Sequence, residues 1–380
     1  MTVDVSIVVP IHNSMPHLER CLSSIGAQTR AGYEVICVDD GSTDGSPELV
    51  ERFSSGRGNV RLIRHKRNQG VSAARNTGLD HAEGRYVLFV DGDDFLEPRL
   101  IEVVLGKAEE LGGQMTVFGY DEYYKGRNCI VPLPVFDDPA LVKKAFTLDD
   151  LKIPSTELLT PNVWRILYEH SFLEGVGARF HEDLKAAEDL AFIYETLPYA
   201  RRICAVPERL YHYRRDGGAT LTRGDRGLSG LTALEYISER LTSQEPVPSA
   251  ERHFTNVVLD TADYAMWSAS SCDEYCRLFE RFATRWLPFV REREGLVAPR
   301  YLPFFRDMRE QTAMEHLFAL YASRREAFEG EHAAVSQRDA ELREARAEEE
   351  RLRSSWAFRI GRIATFVPSK AKSMLLSLRG

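Results

Sequence analysis

The fold of this chain is decided by the stretch Val87-Leu-Phe-Val-Asp-Gly-Asp-Asp94. Residues 86–90 form a short apolar run that predicts a buried strand, and the run ends abruptly at three carboxylates, those of Asp91, Asp93 and Asp94. Carboxylates at the end of a buried strand repel one another and lose hydration, so they need a cation or a cationic partner. A plain polar loop after a strand is the alternative interpretation, and the surrounding sequence decides between the two.

The sequence on either side alternates between predicted strands and predicted helices from residue 4 to about residue 119. Apolar runs predict strands, and helical periodicity separates them, near residues 5–9, 34–38, 60–63, 86–90 and 115–118. Alternation at this spacing predicts right-handed βαβ units. We therefore predict an α/β fold with a Rossmann-like, mainly parallel sheet flanked by helices, followed by a helical C-terminal region. No G-x-G-x-x-G motif follows the first strand, which argues against a dinucleotide dehydrogenase.

The composition of the 380 residues is that of an ordinary globular protein, with 43% hydrophobic and 28% charged residues. The net charge of −8 argues against nucleic acid as the main partner, because phosphate binding needs a basic surface. The six cysteines form no C-x-x-C pair, which favours reduced thiols in a cytoplasmic protein. No apolar segment approaches the ~18 residues that a membrane-spanning helix needs, so we expect no such helix.

Four successive predicted strands end in polar or charged side chains. They are followed by Pro10-Ile-His12-Asn13, by Asp39-Asp40-Gly-Ser-Thr-Asp44, by residues 66–76, and by Asp91-Gly-Asp93. In a parallel sheet these ends all face one edge, where ligands bind. A carboxylate there can accept the N–H of a base or the hydroxyls of a ribose, and Lys66 and Arg75 can offset phosphate charge. A divalent ion on Asp91 and Asp93 can bridge phosphates, since such hard oxygen ligands suit Mg²⁺ or Mn²⁺.

This arrangement resembles the family 2 inverting glycosyltransferases, which have the GT-A fold and use a nucleotide-sugar donor. The resemblance covers about residues 4–215, and its motifs occur in the order and spacing of that family. They are Val8-Val-Pro-Ile-His-Asn13, Val38-Asp-Asp-Gly-Ser-Thr-Asp44, Asn68-Gln-Gly-Val-Ser-Ala-Ala-Arg-Asn-Thr-Gly78 and Val90-Asp-Gly-Asp-Asp94.

The resemblance implies a set of donor-binding and metal-binding residues. Pro10, His12 and Asp40 are expected to line a uracil site with Asp39 beside them, and His12 stands where the family most often has tyrosine. Asn68 and Arg75 are expected in the same nucleotide pocket. Asp91 and Asp93 form the D-x-D element, which touches ribose, diphosphate and a Mn²⁺ or Mg²⁺ ion. In Tyr211-His212-Tyr213-Arg214, the resemblance makes His212 a third metal ligand and Arg214 a contact to the diphosphate; a packed histidine is the alternative.

A catalytic base is also implied by the resemblance. Ala187-Glu188-Asp189-Leu-Ala-Phe192 matches the E-D-x-x-F element of the family, which makes Asp189 the base and Glu188 a residue that orients the acceptor or the base. Glu182-Asp183-Leu184 competes for the assignment, but Leu-Ala-Phe follows only the second pair. Without the resemblance, an exposed helix start whose acids complement the helix dipole is the preferred interpretation of either pair.

One further element departs from the family. Trp164-Arg-Ile-Leu-Tyr168 resembles a W-N-K-L-Y element in which Ile166 replaces the usual lysine. Any role of that lysine is therefore expected to be lost or passed to Arg165.

We predict four segments along the chain. Residues 1–225 form the GT-A catalytic domain, with a nucleotide-binding half at 1–119 and an acceptor half at 120–225. Residues 226–328 form a helical domain, and residues 329–353 form a charged helix or coiled coil that allows a homodimer. Residues 354–380 form a basic amphipathic tail. This tail suits either the inner face of the plasma membrane, as a peripheral contact, or the surface of the protein's own core.

Two functions from different classes follow from these expectations. The first is a metal-dependent inverting glycosyltransferase that moves a sugar from a UDP-sugar to a hydroxyl of a glycan or lipid-linked glycan in surface polysaccharide synthesis. The second is a nucleotide-sugar-binding scaffold of a polysaccharide assembly with little catalysis. A nucleotidyltransferase is a weaker third interpretation, because no glycine-rich phosphate loop follows the first strand.

Overall fold

A computed structural model of the chain describes residues 3–124, 129–132, 138–152, 154–158, 160–215, 226–245, 247 and 249–320. The chain divides into two compact units, Met1–Met314 and Glu315–Gly380, and only residues 315–320 of the second unit are described. The predicted charged segment at 329–353 and the basic tail at 354–380 therefore lie outside the described residues. The domain boundaries drawn from the sequence stay predictions.

The first half of the sheet is entirely parallel, in the order β3-β2-β1-β4. Its strands are β1 (Val5–Ile11), β2 (Tyr33–Asp39), β3 (Val60–Arg64) and β4 (Tyr86–Phe89). The helices between them are α1 (Met15–Gly26), α2 (Ser46–Ser54) and α3 (Val71–Asp80). The α/β fold with helices flanking the sheet is confirmed, and the carboxyl ends of these four strands meet at one edge.

The second half of the sheet is mixed and continues from β4 in the order β8-β6-β9-β5, with β7 paired to β6. These strands are β5 (Phe95–Leu96), β6 (Met115–Tyr124), β7 (Cys129–Pro132), β8 (Ile166–Glu169) and β9 (Ile203–Arg214). Strand β8 runs antiparallel to both β4 and β6, whereas β6 and β9 are parallel. The helices here are α4 (Leu100–Leu111), α5 (Pro139–Val142), α6 (Ser155–Leu158), α7 (His170–Gly175) and α8 (Glu188–Thr196).

Helix α3 packs closely on the sheet through small residues. A Cβ added to Gly78 would stand 2.2 Å from a methyl carbon of Val8, and Ala74 packs with Ile36 and Val38. A larger side chain at either position would push the helix outward, since packed interiors leave no spare volume. The close packing brings the next residue of the helix, Arg75, to the carboxyl ends of the strands.

The helical C-terminal region predicted from the sequence is present. It contains α9 (Arg226–Ser243), α10 (Ala250–Ser268), α11 (Cys272–Arg281), α12 (Leu287–Arg291) and α13 (Leu302–Glu310). Helix α9 packs against both α8 and α10, and Trp286 is fully buried against Phe254 and Phe289. Within the described ranges, none of the helices combines the length and the apolar character needed to cross a bilayer.

Candidate active site

The loops that follow β1, β2 and β3 interlock into one surface at the edge of the sheet. The ring Nδ1 of His12 lies 2.9 Å from the carbonyl oxygen of Asp40, so Nδ1 carries the proton and donates it. The side-chain oxygen of Asn13 accepts the backbone N–H of Thr43 at 2.8 Å. Gly41 has φ +69°, and a Cβ there would lie 2.7 Å from the backbone of residues 67–68, so only glycine lets these loops meet.

Asp39 and Asp40 end β2 and are both buried, but they differ in what their carboxylates contact. Asp40 accepts the N–H groups of Gln69 and Gly70, at 2.9 and 2.7 Å, and lies 2.7 Å from His65 Nδ1. Asp39 accepts one backbone N–H, that of Ser42 at 3.2 Å. The carboxylate of Asp40 therefore holds the loop before α3 in place. The predicted contact of both residues with a base stays a prediction.

Pro10, His12 and Asn68 also reach this edge. Pro10 is half-buried in β1, whereas His12 and Asn68 are exposed. Asn68 turns its side-chain oxygen back to the N–H of Gly70 at 3.0 Å, which leaves its amide nitrogen on the solvent side. The donor-binding residues predicted from these three loops thus share one rim of the sheet.

The turn after β4 is anchored by Asp94. Its buried carboxylate accepts the hydroxyl of Tyr211 and the N–H of Arg214, each at 2.7 Å. Burial and the charges of Asp93 and Asp91 raise the pKa of Asp94. The side chain of Asp94 is consequently part of the framework, and the other two carboxylates of the turn are left at the surface.

Those two carboxylates belong to Asp91, whose side chain is 26% exposed, and to Asp93, which is more exposed. The surrounding protein still removes part of the hydration of Asp93, and together with the charge of Asp91 this raises the pKa of Asp93 to about 6. Two hard oxygen ligands that repel one another fit a divalent cation. The described residues contain no cluster of three or more His, Cys, Asp or Glu side chains able to hold a metal. Mg²⁺ in nucleotide sites is commonly held by one or two carboxylates plus substrate phosphates, so the pair suffices.

In the part of the chain that the structure describes, His212 contacts Phe95, Glu97 and Asp121 through its ring. Its ring stacks on Phe95 with the centroids 4.5 Å apart, its Nε2 lies 2.7 Å from Glu97, and its Nδ1 lies 3.8 Å from Asp121. The structure thus surrounds His212 with packing and carboxylate partners of its own. Its role as a third metal ligand stays a prediction that this arrangement does not favour.

Arg75 joins the two halves of the site. Its side chain is only 3% exposed; Nη2 donates to Asp91 at 2.9 Å, and Nη1 donates to Glu188 at 2.9 Å and to Asp189 at 2.6 Å. The sequence assigned Arg75 to phosphate neutralisation in the nucleotide pocket. In the structure, the guanidinium of Arg75 donates its hydrogen bonds to carboxylates.

The acidic partners of Arg75 share one positive charge among three negative ones. Burial raises the pKa of Asp189 to about 7; Arg75 opposes this rise, and Glu188 and Asp91 add to it. The same three anions hold Arg75 in its charged form. The two directions agree, because one cation cannot fully compensate three partly buried carboxylates. Asp189 is therefore a carboxylate that can take up a proton near neutral pH.

The structure distinguishes between the two Glu-Asp pairs of the sequence. Glu182 and Asp183 are exposed, and they accept hydrogen bonds from Asn76 and from the hydroxyl of Tyr236. Of the two pairs, Glu188–Asp189, at the start of α8, is the one that contacts Arg75, which also binds Asp91. Asp189 also accepts the N–H of Val163 at 3.2 Å. The sequence does not predict this contact, because a backbone donor cannot be recognised from residue types.

The remaining predicted residues support the site from the side of β9. Arg214 donates from Nε to the carbonyl oxygen of Asp93 at 2.8 Å. Trp164 stacks on Tyr211, with centroids 4.3 Å apart, and so supports the hydroxyl that holds the turn after β4. Arg165 is buried and donates from Nε to Phe118 and from Nη1 to Thr160, and burial lowers its pKa to about 10. It pins the loop before β8, and Ile166 lies in the core.

A parallel sheet that gathers a D-x-D turn and an arginine-bound Glu-Asp pair at one edge is the architecture of nucleotide-sugar transferases. The family profile described as Glycosyl transferase family 2 matches residues 6–153. The succinoglycan biosynthesis protein ExoO of Rhizobium meliloti is 31% identical over 253 residues, which cover 64% of this chain and 67% of ExoO. The chain belongs to glycosyltransferase family 2.

Two further similarities extend this result. The uncharacterized glycosyltransferase EpsJ of Bacillus subtilis is 34% identical over 212 residues, and the match spans 56% of this chain but only 61% of EpsJ. The crystal structure of S. aureus TarS 1-349 in complex with UDP-GlcNAc superposes with a TM-score of 0.67 at 22% identity, covering 86% of this chain and 92% of TarS 1-349. At that identity the likeness to TarS establishes the fold alone.

Proposed function

We propose that this chain is a metal-dependent inverting glycosyltransferase that transfers a sugar from a UDP-sugar to a hydroxyl of a glycan or lipid-linked glycan. The observation that carries the proposal is the junction at Arg75, where the D-x-D turn and the Glu188–Asp189 pair meet at one edge of the sheet. Transfer in one step requires that the group holding the diphosphate and the group taking the proton both lie beside the reacting carbon.

The residues divide the reaction between them. The acceptor hydroxyl transfers its proton to the carboxylate of Asp189 as its oxygen attacks the anomeric carbon. The bond between that carbon and the diphosphate oxygen breaks on the opposite face, and the electron pair leaves with UDP. Each oxygen of Asp189 has two lone pairs, so its bonds to Arg75 and Val163 leave room for the incoming proton.

The donor side is assigned to the interlocked loops and the turn after β4. Pro10, His12, Asp39 and Asn68 would surround the base and ribose, and Arg214 would support the diphosphate beside Asp93. A divalent ion held by Asp91 and Asp93 would stabilise the negative charge of the departing diphosphate. The UDP-GlcNAc complex of TarS supports the choice of a uridine donor through the shared fold.

The acceptor is assigned only by class. ExoO, which shares the family, is a succinoglycan biosynthesis protein, and this supports a polysaccharide intermediate as the acceptor. The basic tail at 354–380, outside the described residues, would suit a lipid-linked intermediate at a membrane surface.

The change Asp189→Asn tests the assignment of the base. Asparagine keeps the shape of the side chain but cannot take the proton, so we expect transfer to fall by at least about a hundredfold. Binding of UDP, measured by calorimetry in the presence of Mn²⁺, is expected to change little. Transfer is measured as UDP release over a panel of UDP-sugars and acceptors.

Asp183→Asn is the matched control, because it makes the same chemical change in the exposed pair that lies outside the site. We expect it to keep transfer within about a factor of three. Equal activity of Asp189→Asn and the unmodified chain would remove Asp189 from the reaction. UDP binding without release of UDP from any donor would favour the nucleotide-sugar-binding scaffold instead.

A further inference from the structure

Arg75 is a charged side chain of the site that is almost fully buried. Its Nη1 donates to two carboxylates and its Nη2 to a third, at 2.6–2.9 Å. Its Nε is buried and has no hydrogen-bond partner among the residues that the structure describes. Three of the five N–H groups of the guanidinium therefore donate to Asp91, Glu188 and Asp189.

The position of Arg75 is fixed by its neighbours in α3. The side chain of Asn76 grips the backbone of Phe180 from both sides, accepting its N–H and donating to its carbonyl oxygen, each at 2.9 Å. The ring of Phe180 lies 5.3 Å from the guanidinium carbon of Arg75. Helix α3 is also held against the sheet by the contact of Gly78 with Val8. The guanidinium thus stands on a rigid part of the fold.

Arg75 links two sides of the site that lie far apart in the sequence. Asp91 belongs to the turn after β4, and Glu188 and Asp189 begin α8, about a hundred residues later. A planar guanidinium has a fixed angle between its nitrogens, so carboxylates bound to both Nη1 and Nη2 are held at a fixed spacing. That spacing sets where the proton acceptor stands relative to the donor's diphosphate.

We infer that Arg75 is a positioning residue, which sets the distance between the donor-side carboxylate Asp91 and the base Asp189, rather than a contact to the diphosphate. The inference rests on the proposed function. It adds a specific division of labour: Arg75 acts on the transfer step through carboxylates, and the nucleotide is bound by other residues.

The change Arg75→Lys separates these two roles. Lysine keeps the positive charge, but its single ammonium cannot hold three carboxylates in the geometry of the fork. We expect kcat to fall tenfold or more, while the KM for the donor and the Kd for UDP change less than threefold. A direct phosphate contact would instead weaken UDP binding along with turnover.

Arg61→Lys is the matched control. Arg61 also pairs with a buried carboxylate, that of Glu34, but it lies near the start of β3, at the opposite edge of the sheet. We expect its kcat and its UDP affinity to stay within a factor of two. Thermal melting of both variants shows whether each is folded.

Three results would overturn the inference. The first is a tenfold weaker UDP affinity in Arg75→Lys, which is measurable whether or not the chain transfers sugar. The second is an unchanged kcat in a folded Arg75→Lys variant. The third result applies if that variant does not fold. It is a crystal structure of the unmodified chain with UDP and Mn²⁺ in which Arg75 donates to a phosphate oxygen and no longer to Asp189. Failure of the proposed function has a different signature, namely an unmodified chain that binds UDP and transfers no sugar.

Discussion

At the scale of single residues, the environment of Asp189 determines how the site responds to pH. The carboxylate is largely buried, and it shares the cation Arg75 with the carboxylates of Glu188 and Asp91. Burial therefore raises its pKa to about 7, against an ordinary value near 4. A base works only when it is deprotonated, so its working fraction grows as the pH rises through that pKa.

We expect kcat for transfer to rise with pH on a limb centred near pH 7 and to level off above it. The limb arises because acid protonates Asp189 before the acceptor hydroxyl can transfer its proton to it. Measuring kcat from pH 5 to pH 9 at saturating donor and acceptor tests this. A flat profile down to pH 5 would mean that the carboxylate keeps an ordinary pKa.

The identity of the candidate residues could be predicted from the sequence, but their contacts could not. Asp91, Asp93, Glu188 and Asp189 were chosen from motifs, and the structure brings Asp91, Glu188 and Asp189 together around Arg75. The carboxylate of Asp40 holds a loop, and the carboxylate of Asp94 holds β9. Both contacts depend on which backbone N–H groups lie nearby. Such donors are set by the path of the chain, and side-chain identity does not reveal them.

At the scale of the elements, the start of α8 has a strained backbone. Ala187 has φ +61°, a left-handed conformation that costs a residue with a Cβ about 1 kcal/mol. It directly precedes Glu188 and Asp189, and it turns the chain so that both acids face Arg75. Strain of this kind persists where the surrounding structure over-determines a position.

We expect Ala187→Gly to leave the free energy of unfolding unchanged within about 0.5 kcal/mol or to increase it. Glycine relieves the left-handed strain, and this offsets the larger entropy that glycine has in the unfolded chain. Ala191→Gly, in the buried interior of the same helix, is expected to lose about 1 kcal/mol or more. Chemical denaturation of both variants checks the contrast. Equal losses at the two positions would show that Ala187 is not strained.

The elements were predicted best where the hydrophobic pattern is local. The strand–helix alternation up to β4 follows from periodicity, and the observed strands β1 to β4 agree with it. Strand β6 was predicted to end near residue 118, yet it continues to Tyr124 through polar residues. Its pairing with β9 along that length supplies the hydrogen bonds, and a partner ninety residues away leaves no periodic signal.

At the scale of the molecule, the helical region is tied to the candidate active site. Helix α9 packs on α8, and the Tyr236 hydroxyl bonds to Asp183 while its ring stacks on His181. The pair Glu182–Asp183, which competed with Glu188–Asp189 for the assignment from the sequence, thus has a structural use in joining these parts. The structure separates the two pairs, because it places Glu188–Asp189 beside Arg75 at the strand ends.

The central claim is that the edge formed by the ends of β1 to β4 binds UDP with a divalent ion on Asp91 and Asp93. Calorimetric titration of UDP into the chain, with and without Mn²⁺, tests it most directly. We predict binding that Mn²⁺ strengthens, at least about tenfold weaker binding in Asp93→Asn, and no change in Asp80→Asn, an exposed aspartate at the far end of α3. Equal UDP affinity in the unmodified chain and in Asp93→Asn, or no binding of UDP at all, would contradict it.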